Sequence, residues 1–251
     1  MSRPRIISSD ILSRFRTLRF GMSTRQGGTS PEPLGMNLSF RVGDDRNRVE
    51  ENRRRFFGEL GFDPQHLAIP LQCHSSHIQS VDLPGEYDSC DGLVTTAKNL
   101  PLVITVADCL PIVLFDPKAA VLGHVHAGWR GSADGIARKA VTMMKDEFGA
   151  SPELMVAYLG PSAGVCCYEV GREVADAFLP AQLDVRNERI YLNLKKANMD
   201  QLLECGLRTE NIETSASCTI CAPELFHSYR RDREKSGRMM AVVSIVGNEA
   251  N

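Results

Sequence analysis

The chain contains a single tryptophan, and aromatic residues make up 6% of its 251 positions. No charge of one sign dominates, since 29 Lys and Arg against 31 Asp and Glu leave a formal charge of -2. Without a broad basic field the chain lacks the electrostatic footprint of a nucleic-acid binder, and small-molecule chemistry is the expectation that remains. No window approaches the ~20 consecutive apolar residues that a membrane helix requires, so no membrane partner is expected. Internal repeats, low-complexity tracts and linkers are also missing, and 1–251 reads as a single domain. A chain of this length buries roughly 70 to 75% of its unfolded surface, enough for a sizeable core without staples.

Cysteine, by contrast, is present eight times, at Cys73, Cys90, Cys109, Cys166, Cys167, Cys205, Cys218 and Cys221. No signal peptide precedes these thiols, and the adjacent Cys166 and Cys167 are badly placed to pair with one another, so a reducing cytoplasm is expected. The Arg-rich start superficially resembles a transit peptide, but Ser8 to Phe15 also reads as a capped helix. Cys218-Thr219-Ile220-Cys221 is a lone CxxC. A structural zinc site ordinarily needs a second ligand pair, and only His227 follows, so the expectation is two half-buried cysteines.

The stretch Pro101 to Ala137 carries the densest chemistry. Leu102 to Val106 is rich in β-branched residues and reads as a strand ending at Asp108-Cys109. A second apolar run, Ile112 to Phe115, turns at Asp116-Pro117-Lys118 into a strand that places Leu122, His124 and His126 on one face. Gly128 and Gly131 then suggest a tight turn around Trp129-Arg130, followed by a helix starting near Ser132 or Asp134 whose free N–H groups would suit an anion. Earlier, Ser23 to Ser30 forms a glycine-centred loop with Arg25 as a possible anion clamp, continuing to Asn37. His74 and His77 lie at the edge of a strand, whereas Asp91-Gly92 reads as a turn with no chemical role. Cys166 to Phe178 reads as entry into a helix, and Arg230 stands beside an aromatic face near the end. His74, Cys109 and one of His124 and His126 come from separate strand ends and could hold a catalytic zinc, which takes three protein ligands and leaves one position for water.

Val106-Ala107-Asp108-Cys109, His126-Ala127-Gly128-Trp129-Arg130-Gly131, Leu159-Gly160-Pro161 with Cys167-Tyr168-Glu169-Val170, and Ser228-Tyr229-Arg230-Arg231-Asp232 with Gly237-Arg238 together resemble the YfiH-type, laccase-domain or polyphenol-oxidase-like family of purine nucleoside phosphorylases. The resemblance runs from near Ser23 almost to the end, with the motifs in order. It implies mixed sheets flanked by helices in one α+β domain, and a zinc held by His74, Cys109 and His126, with His124 as an additional imidazole. It further implies phosphorolysis of adenosine, inosine, guanosine and methylthioadenosine, together with adenosine deamination. On this reading Cys109, Asp108 and Arg130 are the catalytic candidates. Arg25, Asn37, Arg130 and Arg230 are the substrate and phosphate candidates.

Three other readings compete. Cys109 with His126 as base could form a cysteine hydrolase acting on amide bonds of cell-wall precursors. A copper-dependent polyphenol oxidase is weaker, because multicopper chemistry needs many paired histidines and the chain has six histidines with one His-x-His pair. A non-enzymatic metal-binding protein would hold zinc without turnover. Oligomeric state is not encoded legibly.

Overall fold

In the computed structural model, which describes residues 3–247, the two strands that flank Asp108-Cys109 belong to different sheets. Leu102–Val106 lies in a six-stranded sheet between Met239–Ile245, to which it is antiparallel, and Ala68–Pro70, to which it is parallel. Leu18–Ser23 and Ile6–Ile7 extend this sheet at one edge, and Gly85–Tyr87 closes the other. Leu110–Asp116 starts the centre of a second six-stranded sheet, pairing antiparallel with Val121–Ala127 and Val156–Leu159. Gly92–Thr95, Ile78–Ser80 and Ile212–Thr214 complete it. The Ala107 to Cys109 segment is therefore the corner at which the chain passes from one sheet to the other.

The alternation along these strands explains the layers. Leu102, Val243 and Ile245 from the first sheet meet Leu93, Val113, Phe115 and Leu122 from the second, forming the core between the sheets. The opposite faces are buried as well. Ile112, Leu114, Val121 and Val125 pack under Ile136, Ala140 and Met144 of the helix Ile136–Phe148, while Val103, Met240 and Val242 pack under Phe56 and Phe57 of the helix Arg46–Glu59. Strands covered on both faces read as continuous Val, Ile and Leu runs, as these do. The resulting order is helix, sheet, sheet, helix, the expected mixed sheets flanked by helices in one compact domain.

Two local expectations fail. Trp129-Arg130 is not a glycine-bracketed turn but the first turn of a short helix, Trp129–Ala133, and the long helix begins only at Ile136 after Gly135 adopts a left-handed conformation. Gly131 is required for a different reason: a Cβ there would sit 2.7 Å from the Ser75 carbonyl oxygen, so it lets this helix approach the loop carrying His74. Cys166 to Phe178 does not run into one helix. Glu169–Val170 pairs with Arg189–Leu192 in a small three-stranded sheet, and only Arg172–Ala175 is helical. Backbone pairing with a distant strand overrides the local pattern.

Candidate metal centre

Three ring and sulfur atoms converge where the sheets meet. One ligand atom each from His74, Cys109 and His126 lies within 4.8 Å of the other two. His126 belongs to the strand Val121–Ala127, whose register sets Ala127 opposite Leu110 and so brings the end of that strand beside Cys109. His74 stands in the loop after Ala68–Pro70 with a φ of 63°, and its ring meets that of His126 edge-on at 5.0 Å between centroids. Gln72 fixes this loop by donating to the Thr105 carbonyl at 2.8 Å and accepting from the Thr105 N–H at 2.8 Å, so its side chain substitutes for a strand backbone.

Asp91, read from the sequence as a turn without function, organises the site. Its buried carboxylate lies 2.7 Å from His126 Nδ1 and accepts from the backbone N–H groups of His74 at 3.0 Å and Ser75 at 2.7 Å, as well as from the Ser75 hydroxyl at 2.8 Å. Its backbone carbonyl accepts from the His126 N–H at 2.6 Å. One residue thus ties both histidine-bearing segments together. Burial alone would raise the Asp91 carboxyl, but the bonds from His126 and Ser75 hold it well below the usual carboxylate range. A lone Asp before a glycine carries no spacing by which the sequence could have marked it.

The donor set suits a metal. Asp91 occupies His126 Nδ1, which leaves Nε2 free to ligate with a fixed ring orientation. Burial pushes the Cys109 thiol up, yet the neighbouring His126 and His74 imidazoles outweigh it and bring it down to about 6, toward the thiolate that a metal requires. Burial likewise opposes the charged form of His126, while the Cys109 charge and the Asp91 bond raise it to about 9. Gly128 keeps the space open, since a Cβ there would lie 3.2 Å from Cys109 Sγ and 3.2 Å from His74 Cδ2.

His124 does not join this group. It points between the sheets, fully buried, with Nδ1 3.1 Å from the Leu102 carbonyl oxygen. Burial lowers it to about 4, so it stays neutral.

His74, Cys109 and His126 line a cavity of about 560 Å³ whose walls include Phe40, Arg41, Arg53, Glu86, Tyr229 and Arg238. Other expected contacts lie elsewhere. Arg25 spends its guanidinium on Glu32 and on the carbonyls of Pro223 and Pro33, beside a separate shallow pocket. Asn37 is buried and accepts from the Arg238 N–H at 3.0 Å, acting on the cavity through Arg238. Asp108 is also engaged, accepting from the Thr219 hydroxyl at 2.6 Å and the Arg230 N–H at 2.7 Å. Arg230 bonds the Glu169 carbonyl, and the exposed Arg130 lies over the Trp129 ring at 4.4 Å. These last residues gather near Tyr168. Burial raises its phenol to about 12, Cys109 and Asp108 act in the same direction, and Arg230 and Arg130 oppose them.

A family described as multi-copper polyphenol oxidoreductase laccase matches residues 19–246. The "Purine nucleoside phosphorylase YlmD" of Geobacillus stearothermophilus is 36% identical over 242 residues, covering 89% of this chain and 88% of that protein. The "Adenosine deaminase RL5" of an unknown prokaryotic organism is 35% identical over 222 residues, covering 81% and 84% respectively. Among solved structures, the Bacillus licheniformis hypothetical protein YfiH superposes with a TM-score of 0.86 at 33% identity, covering 91% of this chain and 92% of that one. With the matched region spanning both sheets and all three converging donors, the chain belongs to the laccase-like, YfiH-type family.

Proposed function

We propose that this protein is a zinc-dependent purine nucleoside phosphorylase that also deaminates adenosine, working in the cavity lined by His74, Cys109 and His126. The observation that carries the reading is the convergence of these three donors on a cavity whose walls offer aromatic faces and guanidinium groups together. A nucleoside presents an aromatic base, hydroxyls and, with its co-substrate, a phosphate. Phe40 and Tyr229 supply surfaces for the base, Glu86 and Glu234 carboxylates for ribose hydroxyls, and Arg53 and Arg238 the forked donors that suit phosphate. The names of relatives with both activities support the same reading.

In phosphorolysis a phosphate oxygen bonds to C1′ while the bond from C1′ to the purine nitrogen breaks and the purine leaves with a proton. Arg238 is set for phosphate by Asn37, which fixes its backbone, and by the Ser236 and Gly237 carbonyls at 2.8 and 3.0 Å, which fix its Nη1. Asp108 is assigned a positioning role, holding the loop of Cys109 against Thr219 and Arg230. Zinc, when bound, would supply Lewis acidity beside the substrate. Two imidazoles and one thiolate suit zinc, and multicopper chemistry would need many more histidines than the two that join Cys109 among the described residues.

The test is product analysis with adenosine, with and without inorganic phosphate. Ribose 1-phosphate and adenine should appear only with phosphate, and inosine with ammonia should report deamination. A second reading rests on the thiolate and imidazolium character of Cys109 and His126, which would also suit a cysteine nucleophile acting on amide bonds. Chelation separates the two, because a nucleophilic thiol keeps or gains activity when metal is removed.

A further inference from the structure

The isolated CxxC has partners after all. Cys166 and Cys167, from the segment after Val156–Leu159, and Cys218 and Cys221, from the segment after Ile212–Thr214, place one sulfur each within 4.8 Å of the other three. The parent strands are parallel neighbours, and a bridge between Ser162 and Cys218 continues that pairing to the cluster. This explains how ligands separated by about fifty positions meet, and why the sequence showed only half of them.

We propose that Cys166, Cys167, Cys218 and Cys221 form a second metal site, an all-sulfur tetrahedral site that takes a structural zinc ion. Zinc bound to four thiolates at ~2.3 Å sets the sulfurs about 3.8 Å apart, and the Cys166 and Cys221 sulfurs already stand at 3.8 Å. Spacing this tight suits one ion, whereas an iron–sulfur cluster spreads its cysteines around several irons. The Gly164 N–H donates to Cys218 Sγ at 3.2 Å, as donors that stabilise a thiolate ligand do. Gly164 leaves room for this approach, since a Cβ there would lie 3.2 Å from Cys166 Sγ and 3.3 Å from Cys218 Sγ. Four thiolates around one zinc carry a net charge of minus two. Lys195 sits within electrostatic reach of Cys218 and Cys166, with its ammonium fixed by the Ser215 and Ser217 carbonyls at 2.6 and 2.7 Å.

The site matters to the cavity through Thr219. This residue lies inside the CxxC, donates to Asp108 beside Cys109, and gives its carbonyl to Arg231 at 2.9 Å. A metal holding the CxxC would fix the segment against which the Cys109 corner rests.

The experiment measures metal content on the full-length protein purified under reducing conditions. Wild type should carry two zinc ions per chain, and Cys109→Ser should retain one, because the all-sulfur site does not depend on the His74, Cys109 and His126 group. Cys218→Ser/Cys221→Ser should also retain one. Should that double variant fail to fold, wild type answers alone: the exposed Cys166 and Cys221 should resist alkylation until a chelator is added, while the exposed Cys73, outside the cluster, should react in both states. Cobalt loaded into Cys109→Ser should give the intense thiolate charge-transfer absorption of a four-sulfur site. A metal-free Cys109→Ser, iron in place of zinc, or a disulfide within the cluster under reducing conditions overturns the proposal. Equal zinc in wild type and Cys109→Ser would instead count against the His74, Cys109 and His126 centre and leave this one standing.

Discussion

Asp91 and His126 form a buried pair in which a carboxylate oxygen lies 2.7 Å from Nδ1, with the carboxylate fully inaccessible and the imidazole 3% exposed. Because the same carboxylate also takes the N–H groups of His74 and Ser75, it sets the ring orientation of His126 and the backbone of His74, two of the three converging donors.

Asp91→Asn should therefore weaken zinc at the His74, Cys109 and His126 centre by roughly 10 to 100-fold, the usual cost of losing a carboxylate behind a ligating histidine. Competition against a chromophoric chelator measures it, best in a Cys218→Ser/Cys221→Ser background. An unchanged affinity would show that the pair is structural only.

Gly128→Ala isolates the space above the ligands. The Gly128 backbone has a φ of -75°, which alanine adopts freely, so the fold should melt within a few degrees of wild type. The added Cβ would crowd Cys109 Sγ and His74 Cδ2, and both zinc affinity and turnover should fall at least about tenfold. Loss of stability without loss of metal would contradict this placement.

The pH dependence of stability in metal-free protein follows from two buried histidines. Burial lowers His124 to about 4 and His227 to about 3, with Arg25, Arg238 and Arg231 adding to the effect at His227. The unfolded chain takes up these protons near pH 6.5 and the native state does not, so the contribution of these two neutral imidazoles is complete above that pH and is lost as pH drops toward 4. His124 alone accounts for a loss on the order of 3 kcal/mol across that window. Thermal unfolding scanned from pH 7 to pH 4.5 should show a falling midpoint, and a flat profile would contradict neutral burial.

Arg238 and Arg25 separate the cavity from the shallow pocket. Arg238→Gln should raise the KM for phosphate about tenfold or more, the expected loss of a charge-assisted contact. Arg25→Gln should leave it within about twofold, because that guanidinium is committed to Glu32, Pro33 and Pro223. The reverse order would move the phosphate site.

Much of the architecture was legible in local pattern. The β-branched run at Leu102 to Val106, the apolar run of Ile112 to Phe115 that turns at Asp116, and the capped helix within Ser8 to Phe15 all express short-range preferences. Cys109 and His126 stood out because their motifs carry them, and His74 because the family resemblance groups it with them. Asp91 did not, since its partners lie 16 or more positions away in chain and become neighbours only when both sheets form. The pairing of Cys166 and Cys167 with the CxxC was hidden for the same reason. Arg25 suggested an anion clamp from its residue type, but the carbonyl of Pro223, supplied by the far end of the chain, had already claimed it.

The most direct test of the account is the zinc dependence of phosphate-driven adenosine cleavage in wild type and Cys109→Ser. Turnover in wild type should vanish on chelation and return with zinc, while Cys109→Ser stays at least about 100-fold slower at every zinc concentration. Cleavage that survives chelation, or a Cys109→Ser protein as fast as wild type, would contradict it.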